Sequence, residues 1–202
     1  MTEKPRYTRI ARFYDLLDLP FEYLRYRPLR RMLFQGVRGA VLDAGVGTGR
    51  NMAFYPGDGE VVGIDLSPRM LARAARRRAS LGVAVELREM DVRATGFADG
   101  RFDFVIATFL FCVLDAEDQL PALRELCRIC KPGGEIRLLE YTTSTRPLKR
   151  LAMRLWAPWV RLLYGAAFDR ETERYADAAG LRLVEQRLVF QDIIKLLVLT
   201  PE

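Results

Sequence analysis

Histidine is absent from all 202 residues. With it go the commonest general base near neutral pH and the commonest metal ligand. Cysteine is scarce. Cys112, Cys127 and Cys130 make an odd count, which argues against a disulfide framework and for a reducing, cytoplasmic setting. Long apolar runs are missing too, and none approaches the ~18 residues of a membrane-spanning helix. The N-terminus does not combine a basic start, an apolar middle and a small-residue cleavage site, so no signal peptide is expected. There is no repeat, low-complexity tract or linker. Chemistry must therefore come from other side chains or from a cofactor, and no metal is expected.

What is present is a chain half apolar, long enough for one domain over 1–202 with a real core. It carries 32 basic and 26 acidic residues, a net charge of +6 that suits an anionic partner without requiring one. Seven strands are expected, in "AVLDAG", "EVVGID", "VAVELRE", "RFDFVIATF", "EIRLLEY", "LRLVEQRLVF" and "DIIKLLVLT". Most alternate with helical stretches. Ser67 can cap one helix, Pro68 suits its first turn and Gly82 ends it. "KPGG" reads as a helix stop and turn, and "RETERYADAAG" as a helix. The pattern predicts an α/β fold: a mostly parallel sheet with helices on both faces and an antiparallel C-terminal pair at one edge.

"VLDAGVGTGRN", residues 41–51, places Gly45, Gly47 and Gly49 directly after an apolar strand. A glycine-rich turn between strand and helix lets the backbone approach a nucleotide-like ligand outside the strand ends. Asp65 ends the next strand, 22 residues after Asp43. A carboxylate there can accept hydrogen bonds from both hydroxyls of a ribose. The spacing is neither G-x-G-x-x-G nor a P-loop, since no G-K-[S/T] follows.

These residues resemble the first motif of the class I S-adenosylmethionine (SAM)-dependent methyltransferases. "VVGIDLSPRML", "MDV", "GRFDFVIATF" and "CRICKPGGEIRLLE" are similar to that family's later motifs, in its order. The resemblance implies a Rossmann-like fold with SAM as cofactor and S-adenosylhomocysteine as product. It places Asp43, Gly45 and Gly47 at the methionine end, with Thr108 near it. Asp65 would hold the ribose, Leu66 would lie beside the adenine, and Asp91 and Val92 would flank the adenine amino group. Ala44, Asn51, Met70 and Phe109 complete the expected cofactor lining. Tyr14, in "ARFYD", matches an aromatic that closes over the cofactor. Gly63 and Gly133 read as ordinary turn or packing residues.

On the acceptor side, Glu140 and Tyr141 end the fifth strand and are expected, with Tyr14, as catalytic residues; Tyr7 and Tyr23 join them as lining. Residues 1–36 read as N-terminal lid helices and 142–170 as a basic, amphipathic insertion. Within it "RPLKRLAMRLWAPWVRLLYG" interleaves Arg and Lys with Leu, Trp and Tyr. Such a stretch is either a lid or a lid that also touches an anionic membrane. Pro158 is expected to split it into two short helices. Cys127-x-x-Cys130 and "RAARRR" read as packing residues and a solvated helix face.

Three subfamilies are similar: soluble bacterial phosphatidylethanolamine N-methyltransferases, alkyl-thiol S-methyltransferases, and quinone C-methyltransferases, from which this chain departs by being shorter. All use hydrophobic or membrane-borne acceptors. The resemblance thus implies a small-molecule or lipid acceptor, first the amine of phosphatidylethanolamine, with the protein in the cytoplasm or peripheral on the inner face of the membrane. A non-catalytic SAM-binding protein is the alternative of another class. "ATFLF" after the fourth strand lacks the N/D-P-P-Y/F pattern of base-methylating enzymes, so nucleic acid is not expected as a partner.

Overall fold

The structure, a computed structural model, describes residues 25–164 and 166–202. Tyr7, Tyr14, Tyr23 and most of the expected N-terminal lid lie outside the described residues.

Seven strands form one sheet: β1 Ala40–Ala44, β2 Glu60–Asp65, β3 Glu86–Glu89, β4 Phe102–Thr108, β5 Cys130–Tyr141, β6 Leu181–Phe190 and β7 Ile194–Pro201. Their order is β3-β2-β1-β4-β5-β7-β6. β1 to β5 are parallel. β7 is antiparallel to both β5 and β6. The antiparallel pair closes one edge as expected, but β6 is its outer strand and β7 fills the slot beside β5. The strand order reverses between β1 and β4, and such a reversal opens a crevice at the carboxyl ends of the strands.

The helices are α1 Arg27–Leu33, α2 Pro68–Leu81, α3 Ala116–Ile129 and α4 Pro147–Tyr164. Pro28 falls in the first turn of α1, where a missing N–H leaves no intrahelical bond unmade. α2 follows its local signals. The Ser67 hydroxyl accepts from the Met70 amide at 3.4 Å, and Gly82 ends the helix with φ of +64°.

Each face of the sheet has its own core. Leu42, Ala44, Val105, Ala107 and Leu138 pack with Leu123, Leu126 and Ile129 of α3. Val41, Ile106 and Leu139 pack on the other face with Leu29 and Leu33 of α1 and Ala74 of α2. This alternation follows from the period of two along a strand.

Three expectations change. "KPGG" is not a stop before β5 but a bulge within it: Phe102 and Phe104 of β4 pair with Cys130 and Glu135. Gly134 is required there, since a Cβ would lie 2.7 Å from the Asp103 carbonyl oxygen. "RETERYADAAG" forms two 3-10 turns, Thr172–Tyr175 and Asp177–Ala179, rather than an α-helix. Thr172 bonds to Gln119 and Glu173 pairs with Lys195, so tertiary ties set its path. Pro158 does not split α4, which runs through it for 18 residues. A proline removes the bond to the carbonyl four residues back; here Arg154 and Pro158 are both exposed, so water can serve that carbonyl.

Among the described residues α4 presents an uncovered apolar stripe. Leu148, Leu151, Leu155 and Trp159 recur at helical spacing and all are more than half exposed, as is Trp156. Lys149 pairs with Asp192, and Arg150 donates to the Ser144 carbonyl, so both tie its first turn to the body. Among the described residues no helix is long and apolar enough to cross a membrane.

Candidate functional site: a glycine loop and a buried polar network

β1 delivers Asp43 and the glycine loop to the mouth of the crevice. The loop is tied to β2, because the Val46 amide donates to the Ile64 carbonyl at 2.8 Å. Gly47 has φ of +55°, and a Cβ there would meet nothing nearer than 3.9 Å. The loop therefore has open space beside it, as a backbone that must approach a ligand needs. Its Gly47 amide donates to Asp65 Oδ2 at 2.9 Å, and the Ser67 amide donates to Asp65 Oδ1 at 2.8 Å. Asp65 thus sets the loop's shape, with one carboxylate oxygen on the Gly47 amide and the other on the Ser67 amide.

Asp43 is fully buried. Its Oδ2 accepts from the Tyr55 hydroxyl at 2.6 Å, and its two oxygens accept from Asn51 Nδ2 at 3.0 and 3.1 Å. The same amide donates to Thr108 Oγ1 at 3.1 Å, while Asn51 Oδ1 accepts from Arg30 Nη1 at 2.8 Å. Burial pushes the Asp43 carboxyl up to about 6, against the pull of Tyr55, Asn51 and Arg30. Its expected place at the methionine end is shared with this network.

The remaining expected residues divide. Leu66 is exposed beside Asp65, where a flat apolar base can lie. Met70 and Val92 are buried, and Ala44 points into the α3-side core, so only its backbone can line the crevice. Asp91 is gripped by Arg93, which also pairs with Asp118, and this cation holds its carboxyl below the usual range. The two oxygens of Asp91 are thus engaged within the protein.

Phe109 follows β4 with φ of +55°, which a side-chain-bearing residue seldom adopts. Its amide donates to the Leu139 carbonyl at 2.8 Å. Its ring stacks on Tyr141, centroids 4.6 Å apart, and meets Tyr26 at 5.3 Å. The hydroxyls of Tyr26 and Tyr141 are 2.9 Å apart. Phe168 sets its edge against Tyr141. Such strain at a site is held by its surroundings, and here the Leu139 carbonyl and the rings of Tyr141 and Tyr26 do the holding.

Glu140 does not join them. It is fully buried on the opposite face of the sheet, with Oε1 and Oε2 accepting from the amides of Phe111 and Cys112 at 2.9 and 2.8 Å. Burial pushes its carboxyl up to about 7, against those amides and Lys195. Neighbours on a strand point to opposite faces, so Glu140 and Tyr141 cannot both face the crevice. The structure thus places Glu140, expected as a catalytic residue, on the turn after β4 and apart from Tyr141. The sequence reading missed Arg30, Tyr26 and Tyr55. Leu29 and Leu33, four apart, were the signal that one face of α1 is buried and that Arg30 borders it.

The site suits an elongated ligand. An acid, a guanidinium, an amide and a hydroxyl gather at one end, a carboxylate that can take a diol lies along the loop, and an exposed leucine follows. That series fits the amino-acid, ribose and adenine parts of SAM. Among the described residues no group of three Asp, Glu or Cys gathers as a metal would need. The three cysteines are unbridged.

Comparison with known proteins agrees. A family model described as a methyltransferase domain matches residues 41–134. A phosphatidylethanolamine N-methyltransferase of Cereibacter sphaeroides is 39% identical over 183 residues, covering 89% of each chain. A demethylmenaquinone methyltransferase of Staphylococcus aureus is 33% identical over 178 residues, covering 84% of this chain and 72% of the relative. The solved structure of a SAM-dependent methyltransferase from Aquifex aeolicus, 20% identical, superposes with a TM-score of 0.71 over the whole of both chains, which shows the shared fold. With the glycine loop, the acid at the end of β2 and the strand order in place, the chain belongs to the SAM-dependent methyltransferases.

Proposed function

We propose that the acceptor is a lipid held in a membrane, and that it is the amine of phosphatidylethanolamine. The carrying observation is α4, whose exposed leucines and tryptophans alternate with basic residues and include no acid. Apolar side chains of this kind can enter the interfacial layer of a bilayer while Arg and Lys meet anionic head groups. The helix is near the site. Beyond its C-terminal end the Ala167 amide donates to the Cys112 carbonyl, and the Phe168 ring reaches Tyr141. The protein would work from the cytoplasm, peripherally on the inner face of the membrane.

SAM brings its methyl group already activated on a sulfonium, for in-line displacement by the acceptor. The protein's part is alignment and the exclusion of water. Phe109, Tyr141 and Tyr26 form the apolar wall on the acceptor side, and Tyr141 takes the role of facing the acceptor atom. Tyr14, outside the described residues, is assigned to close over the cofactor.

A quinone ring carbon is the second reading, supported by the Staphylococcus aureus relative. The amine is preferred because the Cereibacter relative matches at equal length, whereas this chain spans only 72% of the quinone-type relative. Purified protein, labelled SAM and vesicles decide between them. Label should pass to phosphatidylethanolamine in anionic vesicles. Label in a demethylmenaquinol or an alkyl thiol instead would overturn the amine reading.

A further inference from the structure

We infer that Arg30 holds the carboxylate of the cofactor's methionine end and that, through α1, it couples cofactor occupancy to the acceptor wall. Three observations carry this. First, place: Arg30 is 8% exposed on the inner side of α1 and donates to Asn51 Oδ1, within the network that joins Asn51, Asp43 and Thr108 at the ends of β1 and β4. Second, chemistry: a guanidinium offers a planar fork that matches a carboxylate with two parallel hydrogen bonds. The methionine end of SAM carries one carboxylate and one ammonium. The polar end of the site carries one guanidinium and one carboxylate, with the Asn51 amide bonded to both. Third, contrast: Arg77, which also reaches the loop, donates to the Thr48 carbonyl at 2.8 Å and to its hydroxyl, so it braces backbone.

The coupling follows from what else this segment carries. Tyr26, immediately before α1, meets the hydroxyl of Tyr141 and the ring of Phe109. The Arg30 guanidinium itself lies 5.9 Å from the centre of the Phe109 ring. One short segment therefore touches the cofactor's amino-acid end through Arg30 and the acceptor wall through Tyr26. A ligand that engages Arg30 also steadies Tyr26 in the contact it makes with Tyr141 and Phe109. The acceptor wall is then held most firmly when the whole cofactor is bound.

This rests on the cofactor and not on the identity of the acceptor, so the test reads binding alone. The full-length protein is titrated calorimetrically with SAM and with 5′-methylthioadenosine, which keeps the adenosine and sulfur but lacks the amino-acid end. Arg30→Ala should weaken SAM at least tenfold, about 1.4 kcal/mol, and change methylthioadenosine by less than twofold. Arg30→Lys should fall between, since a point charge replaces a fork. Hydrogen exchange over 25–33 should slow with SAM in the wild type and not with methylthioadenosine. Equal loss for both ligands would make Arg30 a structural residue, and no loss for SAM would place the carboxylate elsewhere; either result overturns the inference. Retained methylthioadenosine binding shows that the variant is folded.

Discussion

The Cys112 amide donates to Glu140 Oε2 at 2.8 Å, across 28 positions of sequence, and the neighbouring Phe111 amide donates to the other oxygen. One carboxylate thus holds the turn that follows Phe109. Its carboxyl is raised from 4.5 to about 7 by burial. The protonated form is favoured by the fold, so this group's contribution is complete below about pH 4.5 and is lost as pH rises through about 7. Glu140→Gln should flatten the fall in stability between those pH values. It should also cost about 1–3 kcal/mol, because an amide nitrogen then faces one backbone N–H. Urea unfolding at a series of pH values measures both, and an unchanged pH profile would refute the assignment.

Asp65 braces the glycine loop and is the residue expected to hold the ribose. Asp65→Ala removes acceptors that serve two backbone amides as well as the ligand. Charge-assisted hydrogen bonds contribute ~1.5–3 kcal/mol each, so calorimetry should show SAM affinity falling at least tenfold. Asp65→Asn keeps one acceptor and should fall less. Equal affinity in all three proteins would put the ribose elsewhere.

The membrane contact is tested by α4. Vesicle sedimentation should show binding that grows with anionic lipid and weakens with salt, since exposed charges are screened beyond ~8–10 Å at physiological ionic strength. Trp156→Ala with Trp159→Ala should reduce binding with little change in its salt dependence. Arg154→Glu should reduce it most at low salt. Lys149 and Arg150 are poor choices for this test, because they anchor the helix to Asp192 and Ser144. None of the three tested residues belongs to the glycine loop, so SAM affinity should hold. Binding that ignores lipid charge would reduce α4 to a cover.

Local signals carried much of this architecture. Ser67, Pro68 and Gly82 bound α2 in the sequence as they do in space, because caps act within one turn. The loop from Asp43 to Asn51 and the acid at Asp65 were legible for the same reason: each lies at the end of its own apolar strand. Arg30 was not. Among several arginines in "RYRPLRR" only its phase relative to Leu29 and Leu33 singles it out, and its partner Asn51 lies 21 positions away. Tyr55 likewise depends on a turn whose path brings it back to Asp43. Strand parity separates Glu140 from Tyr141, a separation that reading both as ends of one strand does not draw. Pro158 shows the limit of a local rule, since exposure decides whether a lost hydrogen bond ends a helix.

The place of β7 has a consequence for biosynthesis. β6 precedes it in the chain, yet β6 meets the sheet only through β7. β6 has no strand to receive it until β7 inserts beside β5, and until then β5 keeps an open edge. In that state Val184 and Leu188, still exposed in the finished fold, sit on an unpaired strand. Seven of the eight residues of β7 are buried once it inserts. A stalled or shortened chain that stops within β7 would leave two strand edges exposed together, and would be a substrate for chaperones or proteases rather than a weakened enzyme.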